Sequence, residues 1–346
     1  MQRTQARAIT TDGSIADAAL AVLAARYDGL IPSKALGEAG INAHAAKSLV
    51  ARGLLVRIRR GMYVQPELWN DVRAEGRYQL VVRSTMALTR RPAIVSHLSA
   101  AVIHDLPIVG SWPKTVHTLE PDAAGGSSSR FVTSHRSGAT PAPVRNGELL
   151  VTSLARTVID VAASSSFLNG VTVADHALRV EGERAAAEVK RGAVGTPALT
   201  KADLYAELAR VNPRYGFRQA ERVIAFANPL SANLGESLSR VRIFELGFQV
   251  PELQVHFVVG NGHNCWVDCY WRGIRKIGEF DGKHKYTRGI VLGDRDPAEV
   301  MVAEKVREDA LRAHPDCDSF DRWDWDTAIS PRLFSRFLSE HGMPLA

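Results

Sequence analysis

Apolar positions change their period several times along the chain. After a polar, aperiodic stretch over residues 1–13, read as a loose arm, Ile15, Ala18, Ala19, Val22 and Leu23 recur at helical spacing until Asp28-Gly29. A short second helix is opened by Pro32 and Ser33 and closed at Gly40, where glycine supplies a left-handed terminal residue. Asn42 is a good N-cap for a third helix, which runs to about Arg52 and stops at Gly53. Residues 54–58 and 62–64 then read as two strands around Arg59-Arg60-Gly61. Three short helices and a hairpin are the parts of a winged helix-turn-helix over residues 14–66.

The following region, 67–230, is less regular. Helical spacing over 77–90 and 96–104 alternates with short apolar runs such as 115–119. Residues 123–143 are rich in Gly, Ser, Ala and Pro and read as a mobile loop, and 181–200 as a helix tail with a linker. The last third, 231–346, is clearer. A helix over 234–246 turns Leu234, Leu238, Val241 and Ile243 or Phe244 inward and ends at Gly247. Strands come next at 254–259, 265–271 and 274–281, the first two joined by Gly260-Asn261-Gly262, a hairpin signal. Asp296-Pro297-Ala298-Glu299 opens a helix to about 313, and a strand over 319–325 and a helix from Pro331 complete the set. A chain of 346 residues is long enough for two or three cores. The fold class is therefore multidomain α+β.

Composition adds limits. Hydrophobic residues make up 45% and charged residues 23%, the balance of a globular protein, and a net charge of +6 permits a polyanionic partner without demanding one. Three cysteines are too few for a disulfide framework, which points to a reducing compartment. Residues 18–25, preceded by Arg3 and Arg7, are interrupted by nearby Asp12 and Asp17 and read as an amphipathic helix, not a signal peptide. No apolar run reaches the roughly 18–20 residues that cross a bilayer. These features predict a cytoplasmic protein without a membrane partner. No phosphate-binding loop, dinucleotide fingerprint or Ser-His-Asp spacing stands out.

The charge is unevenly placed. Between Ala39 and Pro66 there are Lys47, Arg52, Arg57, Arg59 and Arg60 and no acid. On the third helix Asn42, His44, Lys47 and Ser48 are expected to face outward, with Ala45, Leu49 and Val50 inward. Such a helix can enter the major groove of double-stranded DNA, while Arg57, Arg59 and Arg60 on the wing sit near phosphates. A protein-interaction module with a solvated basic face is the alternative. Gly29-Leu-Ile, Ala35-Leu36, Gly40-Ile41 and the run from Leu54 through Tyr63 resemble the N-terminal domain of AbiEi-family antitoxins. Ser96-His-Leu-Ser-Ala-Ala101 and Ser153-Leu-Ala-Arg-Thr-Val-Ile-Asp160 resemble the segment C-terminal to that domain in actinobacterial members. The resemblance implies a winged helix that binds its own promoter, in a type IV toxin–antitoxin setting with a cognate toxin protein.

A second constellation lies near the C-terminus. Asp268 falls in the second predicted strand, and Glu279-Phe-Asp281-Gly-Lys283 ends the third. Alternation places Glu279, Asp281 and Lys283 on one face with Asp268 beside them, and Glu236 on the preceding helix can join from the side. Clustered carboxylates call for a counter-charge, and a divalent cation such as Mg²⁺ held by Asp268, Glu279 and Asp281 would supply it. The arrangement is similar to the PD-(D/E)XK nucleases, particularly the branch of very-short-patch repair endonucleases. That likeness implies a C-terminal α/β restriction-endonuclease-like domain over 231–346, with Asp268 and Glu279 as metal-binding acids, Asp281 and Lys283 on the tail of the motif, and Glu236 as the helix acid. The competing expectation makes these acids a relic, or salt-bridge partners of neighbouring lysines. His263, Cys265, Cys269 and Cys317 do not suit a zinc ion, because Cys265 and Cys269 are four residues apart on a strand, roughly 13 Å. Three readings remain open: a DNA-binding, antitoxin-like regulator, a metal-dependent endonuclease targeted by its winged helix, and a toxin-neutralising protein that binds DNA only for autoregulation.

Overall fold

Helix α1, Gly13–Arg26, comes first and ends where Asp28 (φ 49°) and Gly29 (φ 81°) turn left-handed. The computed structural model describes residues 13–89, 93–120, 127–136, 142–193, 195–260, 262–282 and 297–346. The inward stripe of α1 is Leu20 and Leu23 with Ala24 and Tyr27 against them, and Val22, expected inward, is 68% exposed. At 100° per residue Val22 lies well to the side of the line joining 20, 23 and 27. Strand β1 (Ile31–Pro32), α2 (Ser33–Glu38), α3 (Ala43–Ala51), β2 (Val56–Arg59) and β3 (Met62–Val64) come next. The hairpin strand β3 is central, in the order β1-β3-β2. A two-residue strand such as β1 carries no period, so no sequence pattern announces it. Ile31, Leu36, Ile41, Ala45, Ala46, Leu49 and Leu55 close one core with Leu20 and Leu23.

Helices α4 (Pro66–Asp71) and α5 (Ala74–Ala87) lead into β4 (Ile94–Val95), α6 (His97–Ile103), β5 (Val116–Glu120), β6 (Ser127–Ser128), β7 (Val132–Arg136), β8 (Val144–Asn146) and β9 (Leu149–Val151). Their sheet has the order β6-β7-β5-β4-β9-β8, with β5–β7 and β4–β9 parallel. Strand β7 sits inside the stretch expected to be a loop. Its partners there are polar: Thr133 and Thr115 hydroxyls lie 2.9 Å apart and those of Ser134 and Thr118 3.2 Å apart. Pairing through hydroxyls leaves no alternation of apolar and polar residues to detect. Residues 123–126 and 137–141 of that stretch lie outside the described residues.

Helices α7 (Leu154–Ser164), α8 (Phe167–Lys190), α9 (Lys201–Val211), α10 (Phe217–Phe226) and α11 (Leu234–Glu245) precede the last sheet. That sheet has the order β10 (Glu252–Val259), β11 (His263–Trp271), β12 (Lys276–Asp281), β13 (Ser319–Asp324), antiparallel except for the β12–β13 pair. Between the last two strands runs α12 (Pro297–Arg312), and α13 (Trp325–Ile329) and α14 (Pro331–Glu340) finish the chain. One sheet face buries Phe257, Val267, Tyr270, Ile277 and Phe320 with Leu311 of α12. On the other, Gly278 leaves room for two rings: a Cβ there would stand 2.7 Å from Trp323 and 2.9 Å from Trp271. Trp323 donates its indole N–H to Ser239 of α11 at 2.7 Å.

The chain divides into two compact units. The first takes the described residues up to Leu106, Gly110–Asp160 and Arg210–Asn212, and the second Pro107–Val109, Val161–Ala209 and Pro213–Ala346. Among the described residues no helix is long and apolar enough to cross a membrane.

Candidate nucleic-acid interface

Helix α3 has two faces of opposite character. Ala45, Ala46 and Leu49 are buried, Val50 is half-buried, and His44, Lys47 and Arg52 are exposed, with Ser48 half-buried. Asn42 holds the helix start, its side-chain oxygen accepting the N–H groups of His44 (3.1 Å) and Ala45 (3.0 Å). The Asn42 side chain is therefore engaged in capping as well as standing at the outer surface.

The β2–β3 hairpin carries the remaining charge. Its register shifts between Arg57, opposite Tyr63, and Arg59, opposite Met62, so Ile58 forms a bulge. Gly61 (φ 87°) makes the turn beside Arg60. Arg57 and Arg60 are exposed, whereas Arg59 is half-buried with its guanidinium carbon 4.5 Å from the centroid of the Phe131 ring. Partial burial lowers the affinity of Arg59 for its proton. Lys47, Arg57, Arg59 and Arg60 make no ion pair among the described residues. A helix and hairpin that carry four cations with no acid to answer them attract a polyanion.

The C-terminal acids have partners that alternation did not predict. Glu236 is buried at the start of α11, where it accepts the N–H of Ala232 at 2.7 Å and the side-chain amide of Asn233. Gln254, at φ 50°, places its amide nitrogen 3.5 Å from both Glu236 and Asp268. Asp268 also accepts the N–H of Phe280 at 3.0 Å. Glu279 pairs with cations of α12 and β13. Its carboxylate takes Arg307 at 2.7 Å and Arg322 at 3.1 Å, and Arg322 continues to Glu304 and Glu308 at 3.1 Å each. Asp281, at the strand end, stands in register with Asp324, and Lys283 lies outside the described residues. The counter-charge at Glu279 is thus two guanidiniums. Among the described residues no three histidine, cysteine or carboxylate groups are arranged to hold a metal ion. Cys265 and Cys269 are buried free thiols, and burial pushes the Cys269 thiol well above its ordinary range.

A further polar centre in the first unit escaped the sequence reading. His97 stacks on His135 with centroids 3.7 Å apart, and His135 Nε2 lies 2.9 Å from His117 Nδ1, so one of that pair donates and the other accepts. Asp160 holds Arg156 at 2.7 Å and stands 3.9 Å from His97. The only available signal was a histidine within or beside each short apolar run, at 97, 117 and 135. Burial first, and then the neighbouring His135, lowers His117 from 6.5 to about 4. His97 is held well below its ordinary value and His135 is lowered, in both cases chiefly by burial. All three are therefore harder to protonate in the folded unit than in an unfolded chain, which protonates them below about 6.5. Their contribution is present above that pH and is lost progressively as the pH falls below it, for His117 down to about 4. Urea denaturation between pH 7 and 5 should show stability falling, by at most about 1.4 kcal/mol per pH unit for each extra proton bound on unfolding. A flat profile over that interval would contradict it.

No curated protein matches the chain at a significant level. Residues 19–66, which hold α3 and the basic hairpin, match the family model described as "Transcriptional regulator, AbiEi antitoxin".

Proposed function

We propose that this chain is an antitoxin-like transcriptional regulator that binds double-stranded DNA through residues 19–66, folded as a winged helix-turn-helix. The observation that carries the reading is the set of cations on α3 and the β2–β3 hairpin that lack acidic partners, within the segment that matches a regulator family. Helix α3 is the recognition helix, with His44, Lys47 and Ser48 toward base edges and Asn42 at its phosphate-proximal end. Arg52, Arg57 and Arg60 sit near the backbone, where phosphate contacts set orientation and affinity. A cognate toxin and a cytoplasmic site of action belong to the same proposal.

Titration of duplex DNA from immediately upstream of the coding sequence tests it. The variant carrying Lys47→Ala, Arg57→Ala and Arg60→Ala should bind roughly tenfold or more weakly, with a salt slope shallower by about 0.9 for each phosphate that is no longer neutralised. Binding equal to that of the parent chain at every salt concentration would remove the reading.

Metal-dependent phosphodiester cleavage by a PD-(D/E)XK-like C-terminal domain is a second proposal. The approach of Glu236 and Asp268 to one amide favours it. The occupation of Glu279 by Arg307 and Arg322 weighs against it, because a magnesium ion would have to displace both guanidiniums.

A further inference from the structure

The wing is not the only basic element at the Phe131 ring. Arg130, next to it in the turn before β7, holds its guanidinium carbon 5.4 Å from the same centroid that Arg59 approaches to 4.5 Å. Two cations from elements more than seventy residues apart in sequence therefore share one aromatic ring. Neither has an ion-pair partner among the described residues. A ring face attracts each guanidinium but does nothing for their mutual repulsion. An oxyanion answers that repulsion, since a phosphate carries the opposite charge and its oxygens accept from guanidinium N–H groups.

We propose that Arg59 and Arg130, stacked on Phe131, form a clamp for a backbone phosphate of duplex DNA. The contact surface would then extend from the wing onto the six-stranded domain. The inference rests on the DNA-binding reading, and it draws DNA in preference to a free anion from continuity. Arg60 adjoins Arg59 at the exposed turn of the same hairpin, so a strand held there arrives at the ring. Phe131 acts as a positioning residue that holds Arg59 in place. A phosphate contact of this kind adds affinity without sequence preference.

Fluorescence anisotropy with a labelled 30-base-pair random-sequence duplex, between about 50 and 200 mM salt, reads the clamp directly. Arg130→Gln should weaken binding three- to tenfold and make the salt slope shallower by about 0.9. Arg145→Gln removes the same charge from β8, at the opposite edge of the sheet from β6, and should leave the slope unchanged. Phe131→Leu should weaken binding as Arg130→Gln does, with the thermal transition of both variants within a few degrees of the parent. If Arg130→Gln matches the parent while the Lys47, Arg57 and Arg60 variant loses binding, the clamp is wrong and the DNA reading stands. If neither variant changes binding, the DNA reading itself fails. A melting temperature raised by millimolar inorganic phosphate, abolished in Arg130→Gln with DNA affinity untouched, would assign the clamp to a free anion and overturn the proposal.

Discussion

Asp175→Ala should destabilise the second unit by about 3–5 kcal/mol, the cost of leaving one member of a buried ion pair without its partner. Asp175 is fully buried on α8 and uses both oxygens. One accepts Arg240 at 2.7 Å and Ser237 at 2.8 Å, and the other accepts the N–H of Asn228 at 2.6 Å. Burial on its own pushes the Asp175 carboxyl up, and Arg240, the Asn228 N–H and Ser237 pull against that shift. Arg240 is 3% exposed and is further fixed by the carbonyl of Phe226 at 2.8 Å and by the ring of that residue. With the carboxylate gone, this guanidinium has no route to water. Equilibrium urea unfolding followed by circular dichroism measures the loss. The pair Asp175→Leu with Arg240→Met, which removes both charges, should recover much of it. A single variant within 1 kcal/mol of the parent would mean that the pair contributes little to holding α8 against α11.

Glu279 separates the two readings of the C-terminal domain. As the shared partner of Arg307 and Arg322 it is structural, and Glu279→Ala should cost about 1–3 kcal/mol, since both guanidiniums retain some contact with solvent. As a metal-binding acid it would be expendable for stability and necessary for cleavage. The parent chain, Asp268→Ala and Glu279→Ala are to be incubated with supercoiled DNA and Mg²⁺ or Mn²⁺, beside urea unfolding of each. The arrangement around Glu279 predicts no metal-dependent nicking and lower stability for Glu279→Ala. Nicking by the parent chain that disappears in both variants, with stability unchanged, would establish a nuclease and displace the ion-pair account.

Most elements with a strong local signal were legible in the sequence. Asn42 and Gly53 bracket α3 within a residue of expectation, because caps and left-handed termini act over three or four neighbouring residues. The basic, acid-free stretch from Ala39 to Pro66 was visible for the same reason: charge is a property of the residues themselves. The hairpin of β10 and β11 and the helix opened at Pro297 also arise from short-range chemistry.

What tertiary structure decided was partnership. Periodicity could place Asp268 and Glu279 on adjacent strands, but only packing put Arg307 and Arg322 on Glu279 and Gln254 between Glu236 and Asp268. The pairing of β7 with β5, the stacked histidines at 97, 117 and 135, and the Arg59–Phe131 contact join residues 16 to more than 70 positions apart. A local pattern records which face a residue turns to the core, since that depends on its immediate neighbours. Which distant charge or ring it meets there depends on chain closure, and that is settled only when the whole unit packs.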